Sequence, residues 1–278
     1  MQLQGKTVLI PGASRPVGRA IARAFGQAGA SLVLPVYDWP DSITEMNQDF
    51  LEAGFSFHTL KADLRKKTDV LKVVDWINET SGHLDFLINN IERGGMPVVH
   101  GSYDLPHNSD QWDIEIDTTL KAKWLLFHHC LPLMQKCSPS TQGSVVNISS
   151  IAGETGRSGP AAHFFNDGYS AANRAIRTLT ETWARQAAPA IRVNELSLGL
   201  IRNRHGEETR GWKALTADEK TAIGDQILLD RTGYPEEVAK CVFFLAVSAT
   251  YMTGTVMKMD GGFSLGASRV PSMPPGIL

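Results

Sequence analysis

The beginning of the chain constrains the fold more than any other stretch. Residues 6–10, KTVLI, form a short apolar run with β-branched members, which predicts a buried strand. Apolar residues then recur at helical spacing over residues 17–28, and a second apolar strand follows at residues 31–34. This pattern predicts a βαβ unit with Gly12 and Gly18 in its first turn, where a helix N-terminus can hold a pyrophosphate.

The remainder of the 278-residue chain repeats this alternation of strand and helix patterns. Apolar runs predict further strands at residues 55–60, 84–89, 144–148, 191–194 and 255–257. Helical spacing predicts helices at residues 43–53, 68–79, 109–137, 169–187 and 235–249. Because repeated βα units form parallel sheets covered on both faces, we predict an α/β fold of the Rossmann type, a doubly wound sheet of about seven parallel strands.

Composition and charge exclude several classes of function. The net charge is −2, with both signs mixed along the chain, so neither nucleic acid nor a membrane surface is an expected partner. No apolar run approaches a membrane span and no signal peptide is visible, which predicts a cytoplasmic protein. The histidines show no metal-ligand spacing, so no metal is expected. Reduced core cysteines are predicted at Cys130, Cys137 and Cys241.

No repeat or linker divides the sequence. We therefore predict one domain over residues 1–266, followed by a C-terminal tail at residues 267–278. The stretch 203–230 is polar and partly helical, which predicts a substrate lid at about residues 200–232. The tail is rich in proline, serine and glycine, and this composition suits either an arm on a neighbouring subunit or a disordered end.

A series of short motifs resembles the short-chain dehydrogenase/reductase family over nearly the whole chain. The nucleotide loop of that family is similar to residues 11–18, and its adenine-contacting aspartate matches Asp63. Its NNAG motif resembles residues 89–92, the strand ending in its catalytic serine resembles residues 146–150, and its YxxxK helix resembles residues 169–173. Three later landmarks of the family resemble residues 191–194, 235–239 and 260–262.

The resemblance implies an NAD(P)-dependent oxidoreductase acting on a carbonyl or alcohol of a small molecule. In the family, a tyrosine exchanges a proton with the substrate oxygen and a serine orients that oxygen; these roles fall on Tyr169 and Ser150. The family lysine, which lowers the tyrosine pKa and holds the nicotinamide ribose, is replaced by Asn173, and the asparagine of the proton relay by Thr119. Family members commonly pair through helices equivalent to those predicted here, so we expect a homodimer or homotetramer.

The resemblance also assigns a set of cofactor-binding residues. They are Gly12, Ser14, Arg15, Val17, Gly18, Tyr37, Asp63, Leu64, Asn90, Asn173 and Gly199. Val36 stands where an aspartate would bind the ribose hydroxyls of NAD, and Arg15 suits a 2′-phosphate. NADP is therefore favoured over NAD.

Among the departures from the family pattern, the replacement of the lysine by Asn173 has the largest expected effect on the chemistry. Asn173 can hydrogen-bond a ribose but carries no charge, so the pKa of Tyr169 is expected to stay near its ordinary value of about 10. Arg174 cannot stand in, because five residues along a helix place it roughly 140° from Tyr169. If another cation serves the tyrosine, Lys121 and Lys123 are the first candidates.

Other departures affect the cofactor loop and the pocket. Pro16 replaces a glycine, and it either begins the helix without cost or weakens nucleotide binding. Glu92 replaces the glycine of NNAG and adds negative charge beside the expected nucleotide, while Leu198 replaces a family proline. The stretch 151–168 is about six residues longer than usual. It either reshapes the substrate pocket or forms a surface bulge.

Three interpretations of function stay open. The first is an active but atypical oxidoreductase that works through the serine and tyrosine. The second is a non-catalytic protein that binds a nucleotide or metabolite, or an inactive partner in an oligomer. The third is an enzyme on the same fold whose chemistry is not redox and which uses the Ser-Tyr pair as a proton donor. The retained pair favours the first.

Overall fold

The computed structural model contains one parallel sheet of seven strands. They are β1 (Thr7–Leu9), β2 (Ser31–Val36), β3 (Phe57–Lys61), β4 (Phe86–Asn89), β5 (Gly143–Ser150), β6 (Ile191–Leu198) and β7 (Val256–Met259). Their order in the sheet is β3-β2-β1-β4-β5-β6-β7, and all neighbours are parallel, as predicted. The structure describes residues 2–92, 112–137, 142–163, 165–202, 215–272 and 276.

Helices cover both faces of the sheet. They are α1 (Pro16–Gln27), α2 (Pro40–Glu52), α3 (Lys67–Thr80), α4 (Ala122–Met134), α5 (Ala152–Thr155), α6 (Asp167–Ala187), α7 (Ala217–Gln226) and α8 (Pro235–Phe243). A π-helical segment, Ile116–Lys121, leads into α4, and another, Phe244–Ser248, continues α8. None of the helices that the structure describes is long and apolar enough to cross a membrane.

Two apolar layers sandwich the sheet, because successive side chains of a strand point to opposite faces. Val8 and Leu32 lie in the layer that includes residues of α1, α2 and α8. Leu9 and Val33 lie in the layer that includes residues of α3, α4 and α6. The doubly wound arrangement leaves the carboxyl ends of the strands at one edge, where the candidate site is built.

Two strands, β5 and β6, are longer than the sequence pattern predicts. β5 continues to Ser150 and β6 to Leu198, beyond the predicted ends at positions 148 and 194. Their polar residues broke the apolar pattern, but these residues are buried and bonded to one another. Ser149, for example, donates a hydrogen bond to Glu195, and Asn89 of β4 donates to Asn147 at 2.9 Å.

Helix ends also differ from the prediction. α2 begins at Pro40 rather than at position 43, since proline is favoured in a first helical turn. The predicted helix 235–249 is α-helical only as far as Phe243 and then widens into the π-helical segment. Within the predicted lid, α7 lies in the described part, whereas residues 203–214 fall outside the described residues, as do the first three of the predicted helix 109–137.

A buried arginine joins the sheet to the end of α8. The Arg192 guanidinium from β6 donates hydrogen bonds of 2.6–2.9 Å to the carbonyl oxygens of Leu245, Ala246 and Ala249. The last carbonyls of a helix lack partners within the helix, and a cation at this end is also favoured by the helix dipole. Arg192 therefore closes this helix end from inside the core.

Candidate active site

The turn between β1 and α1 is shaped by close backbone contacts. Gly12 adopts a φ of +72°, and a Cβ atom on Gly18 would lie 2.2 Å from the Gly12 carbonyl oxygen. The Asn90 side chain, after β4, donates to the Pro11 carbonyl at 3.4 Å and would lie 2.6 Å from the same Cβ. Only glycine fits these positions, and the tight turn presents the N-terminus of α1 toward the crevice, which is the arrangement that fits a dinucleotide pyrophosphate.

α1 begins at Pro16, so this proline starts the helix instead of interrupting it. The first helical turn has backbone N–H groups without helical partners, so the missing N–H of a proline there breaks no helical hydrogen bond. Proline at this position is therefore compatible with a regular helix. The alternative, that Pro16 weakens nucleotide binding, stays a prediction.

Two arginines lie at the expected adenine end of the crevice. Arg65 donates from Nε and Nη2 to the carboxylate oxygens of Asp63, at 2.8 and 2.9 Å, and this hydrogen bonding lowers the pKa of Asp63. The Arg65 guanidinium also lies 5.5 Å from the Tyr37 ring centroid. Arg15 lies 4.2 Å from the ring centroid of Trp39. Sequence reasoning missed Arg65 and Trp39, although Arg65 lies only two residues after Asp63.

Most of the other residues assigned to the cofactor lie near the same edge. Ser14 is buried, and its carbonyl accepts a hydrogen bond from Arg19 at 3.1 Å. Leu64 is buried after β3. Gly199 follows β6, and a Cβ atom there would lie 2.6 Å from the Asp260 Cα, so this glycine permits close packing against the turn after β7. Val17 lies in the first turn of α1 and is half-buried.

The structure brings Ser150 and Tyr169 together. β5 ends at Ser150, and Tyr169 lies in the first turn of α6. The backbone N–H of Tyr169 donates a hydrogen bond of 2.6 Å to the side-chain oxygen of Asn166, which caps this helix. The Ser150 hydroxyl is close enough to hydrogen-bond the Tyr169 phenol, a contact that acts to lower the tyrosine pKa. Ser150 Oγ also accepts from the backbone N–H of Ala152 at 3.2 Å. The two hydroxyls thus lie close to each other at the carboxyl end of the sheet.

The phenol of Tyr169 has a second partner that the sequence did not suggest. Its hydroxyl donates to Glu92 Oε2 at 3.1 Å. Burial and the nearby Glu92 carboxylate raise the pKa of Tyr169 well above its ordinary value, so the expectation that it stays near 10 was wrong. The Glu92 side chain is itself exposed at the edge of the sheet, while the protein around it limits its hydration and raises its pKa.

Asn173 does not reproduce the role of a lysine. Its side chain is buried, and Nδ2 donates at 2.9 Å to the backbone carbonyl of Tyr169, one turn earlier in α6. Its Oδ1 has no hydrogen-bond partner among the described residues. The amide is therefore partly committed to the helix backbone, and any ribose contact would fall to the oxygen.

Thr119 lies within the π-helical segment before α4, a type of distortion that is frequent at functional sites. Its hydroxyl donates to Glu115 Oε2 at 3.3 Å, and Glu115 Oε1 accepts from Asn166 Nδ2 at 3.4 Å. Thr119 is thereby linked to the residue that caps the helix carrying Tyr169.

A buried lysine lies one turn after Thr119. Lys123 is only 1% exposed, and its Nζ has no hydrogen-bond partner among the described residues. Desolvation lowers the pKa of Lys123 to about 8, opposed by the charges of Glu92, Glu195 and Glu115. Burial likewise raises the pKa of Glu195.

Of the two lysines considered from sequence, only Lys123 lies in this cluster. Lys121 forms a surface ion pair with Asp117 at 3.1 Å. Glu195 was missed, and the available signal was a charged residue inside an otherwise buried strand. Within the described part of the chain, no group of three or more histidine, cysteine or carboxylate side chains could hold a metal ion.

Comparison with known proteins agrees with this geometry. A family model described as enoyl-(acyl carrier protein) reductase matches residues 12–264. The 3-oxoacyl-(acyl-carrier-protein) reductase FabG of Thermotoga maritima is 29% identical over 269 residues, covering 94% of this chain and 99% of that protein. The oxidoreductase UcpA of Salmonella typhimurium is 32% identical over 268 residues, covering 95% of this chain and 96% of that protein.

The fold is shared with solved structures as well. A short-chain dehydrogenase/reductase from Serratia marcescens superposes with a TM-score of 0.79 at 24% identity, covering 95% of this chain and all of that one. The chain belongs to the short-chain dehydrogenase/reductase family. The relatives named above are a reductase and an oxidoreductase.

Proposed function

We propose that this protein is an NAD(P)-dependent oxidoreductase that interconverts a carbonyl and an alcohol on a small molecule. The observation that carries the proposal is the meeting of the Ser150 and Tyr169 hydroxyls at the same sheet edge as the glycine turn. A bound nicotinamide would supply or accept the hydride. Ser150 would orient the substrate oxygen, and Tyr169 would donate its phenolic proton to that oxygen.

The raised pKa of Tyr169 favours the reductive direction. Burial and the neighbouring carboxylate keep the phenol protonated at neutral pH. Carbonyl reduction needs that protonated form, whereas alcohol oxidation needs a base. We therefore expect reduction to be the faster direction at neutral pH.

The cofactor would be held by residues along the strand ends. The turn at Gly12 and Gly18 would take the pyrophosphate, Asp63 and Leu64 the adenine, and Asn173 the nicotinamide ribose through its unpartnered oxygen. Val36 stands at the end of β2, where an aspartate would bind the ribose hydroxyls of NAD. Arg15 brings a guanidinium to the same end of the crevice, beside Trp39, which supports NADP over NAD.

Cofactor titration followed by turnover assays tests this proposal. NADPH and NADH binding would be followed by fluorescence, and turnover by cofactor absorbance, with a panel of β-keto esters, aromatic ketones and aldoses. Tyr169→Phe should keep cofactor binding and lose turnover by about 100-fold or more. Tyr251→Phe, at a fully exposed site, is the matched control and should change neither. Absence of binding for both nucleotides would remove this function.

A second candidate is a nucleotide-binding protein without catalytic activity. It is favoured by Asn173 and Thr119, whose side chains bond to the Tyr169 backbone carbonyl and to Glu115 instead of completing the family relay. Tight binding of NADPH with no turnover across the panel would support this candidate. Conversion of a substrate without any change in cofactor absorbance would instead indicate non-redox chemistry by the Ser-Tyr pair.

A further inference from the structure

The tyrosine, a carboxylate and a buried lysine form a connected set in this protein. Tyr169 donates its hydroxyl proton toward Glu92 Oε2 at 3.1 Å. The Glu92 carboxylate favours the charged form of Lys123, although the Lys123 ammonium has no hydrogen-bond partner among the described residues. The three residues come from three parts of the chain, which are α6, the segment after β4 and α4. The tyrosine hydroxyl is therefore bonded to a carboxylate that interacts with a buried cation only through its charge.

Lys123 is placed to act inside the site. It lies four residues after Thr119, so the two side chains share one side of the helical segment. A charged lysine is almost never fully buried unless it is paired, and the Lys123 ammonium has no hydrogen-bond partner in the described residues. Burial of this kind is costly for a purely structural residue, which points to a functional one.

We propose that Glu92 accepts the proton that Tyr169 releases, and that Lys123 is a positioning residue whose charge holds Glu92 as a carboxylate. This pair would replace the tyrosine–lysine couple of the family, in which the cation acts on the tyrosine itself. The inference rests on the proposed function, because it assumes that Tyr169 exchanges a proton with substrate.

The proton transfers balance in both directions. In alcohol oxidation, the Tyr169 oxygen takes the hydroxyl proton of the substrate as its own proton passes to Glu92 Oε2. The two electrons would leave the carbinol carbon as hydride, for which a bound nicotinamide would be the acceptor. Tyr169 ends neutral, and Glu92 ends protonated and returns that proton to water, to which its side chain is exposed. Reduction reverses each transfer.

Several other charged groups act on these three residues and affect the protonation of Lys123. Glu115 precedes the π-helical segment, and Glu195 projects from β6; both raise the pKa of Lys123. Arg177 of α6 acts on Glu195 and favours its ionised form. Three carboxylates thus favour the charged form of Lys123, and Glu92 is the one bonded to Tyr169.

The pH profile of alcohol oxidation distinguishes Glu92 from a tyrosinate as the base. If tyrosinate were the base, oxidation would keep rising beyond about pH 10, since the pKa of Tyr169 lies well above its ordinary value. With Glu92 as acceptor, oxidation instead levels off once this carboxyl group is ionised. Burial raises the pKa of Glu92, so the rise in oxidation that precedes this plateau reports the ionisation of Glu92 and not that of Tyr169.

The first experiment does not depend on a substrate. Protein labelled with ¹³C at lysine Cε would be titrated by NMR. One lysine signal should titrate near pH 8, below the ordinary value of about 10.4, and be missing from Lys123→Met. Glu92→Gln should move this signal to lower pH, because a carboxylate that favours the ammonium has been removed. A lysine titration that is identical in Glu92→Gln and the unmodified protein would overturn the coupling.

The second experiment measures the pH profile of oxidation with the alcohol of whichever panel ketone is reduced fastest. Glu92→Gln should lose about 100-fold at pH 7 and then climb through pH 10 without levelling, while reduction is less affected. Lys123→Met should shift the rise in oxidation rate to higher pH, and Lys123→Arg should return this rise to the pH seen in the unmodified protein. Lys121→Met, from the surface pair on the same helix, is the matched control and should leave the profile unchanged.

The outcomes separate this inference from the proposed function. A profile unchanged by Glu92→Gln, in a protein that loses turnover with Tyr169→Phe, would overturn the inference and leave the oxidoreductase function standing. Circular dichroism would confirm that each variant is folded, and Glu92→Gln at an exposed position keeps the test open if Lys123→Met does not fold.

Discussion

Two arginines at the adenine end of the crevice have different partners. Arg65 uses both arms of its guanidinium on Asp63, so its charge is largely compensated. Arg15 instead lies over the Trp39 ring, in a contact that keeps a planar cation beside the end of β2. Because Arg15 lies in the turn between β1 and α1, we take it as the candidate for recognising a 2′-phosphate.

Arg15→Ala is expected to weaken NADP binding by at least about tenfold and to leave NAD binding nearly unchanged, because hydrogen bonds to a charged group contribute about 1.5–3 kcal/mol. Isothermal titration with both nucleotides measures the difference. Arg23→Ala is the control, since Arg23 also lies on α1 but pairs with Asp49 at 3.1 Å. Equal affinities of the unmodified protein for the two nucleotides would contradict the assignment.

The sequence predicted the Ser150–Tyr169 pair because each lies at a recognisable position, the end of a strand and the start of a helix. It did not predict that Glu92 binds Tyr169, which is 77 positions away. It identified Lys123 only as an alternative source of charge. Contacts of this kind depend on how β4, α4 and α6 are packed, and periodicity within one element carries no information about them.

At the scale of single elements, the turn into α1 depends on two glycines for different reasons. Gly12 has a φ that L side chains rarely adopt. Gly18 has an ordinary helical conformation but lies against the backbone of Gly12 and the side chain of Asn90. The second constraint is steric, so it can be tested by adding one methyl group.

Gly18→Ala should destabilise the protein by about 1–3 kcal/mol, since the added Cβ would lie 2.2 Å from a backbone oxygen that must move. It should also weaken NADPH binding by displacing the turn. Gly224→Ala is the matched control in α7, where a Cβ meets nothing within 4 Å, and it should stabilise by up to about 1 kcal/mol. Urea unfolding compares them; equal effects would refute the steric argument.

The fold itself was predictable from the sequence, because seven strand patterns alternate with helix patterns and parallel sheets permit few arrangements. Element ends were less predictable. β6 was cut short at Asn194 because Glu195 reads as a surface residue, yet it is buried and bonded to Ser149. The π-helical segment around Thr119 has no pattern of its own in the sequence.

At the scale of the whole molecule, α4 and α6 differ in the surface they expose. α4 exposes Trp124, which stacks on His128 with ring centroids 5.5 Å apart. The outward face of α6 is basic and carries Arg174, Arg177 and Arg185. Of these two helices, α4 is therefore the one with an exposed aromatic surface that could pair with a second chain.

We still predict a homodimer or homotetramer, with α4 at the contact. Light scattering at micromolar concentration should give at least twice the 30.4 kDa of one chain. Trp124→Glu should lower the mass by placing a charge in the interface, whereas Leu51→Glu, at an exposed site on α2, should leave it unchanged. A monomeric mass for the unmodified protein would rule this assembly out.

The Arg192 guanidinium has a consequence for how the protein opens locally. Helix ends normally fray, but the π-helical segment that continues α8 cannot do so without breaking three buried hydrogen bonds to Arg192 of β6. We therefore expect the amides of residues 244–249 to exchange with deuterium as slowly as those of β6, as one cooperative unit. Arg192→Met should release that turn to fast exchange, whereas Arg185→Met, which removes an exposed bond to the Glu181 carbonyl, should not. Slow exchange persisting in Arg192→Met would show that the helix end is held by packing alone.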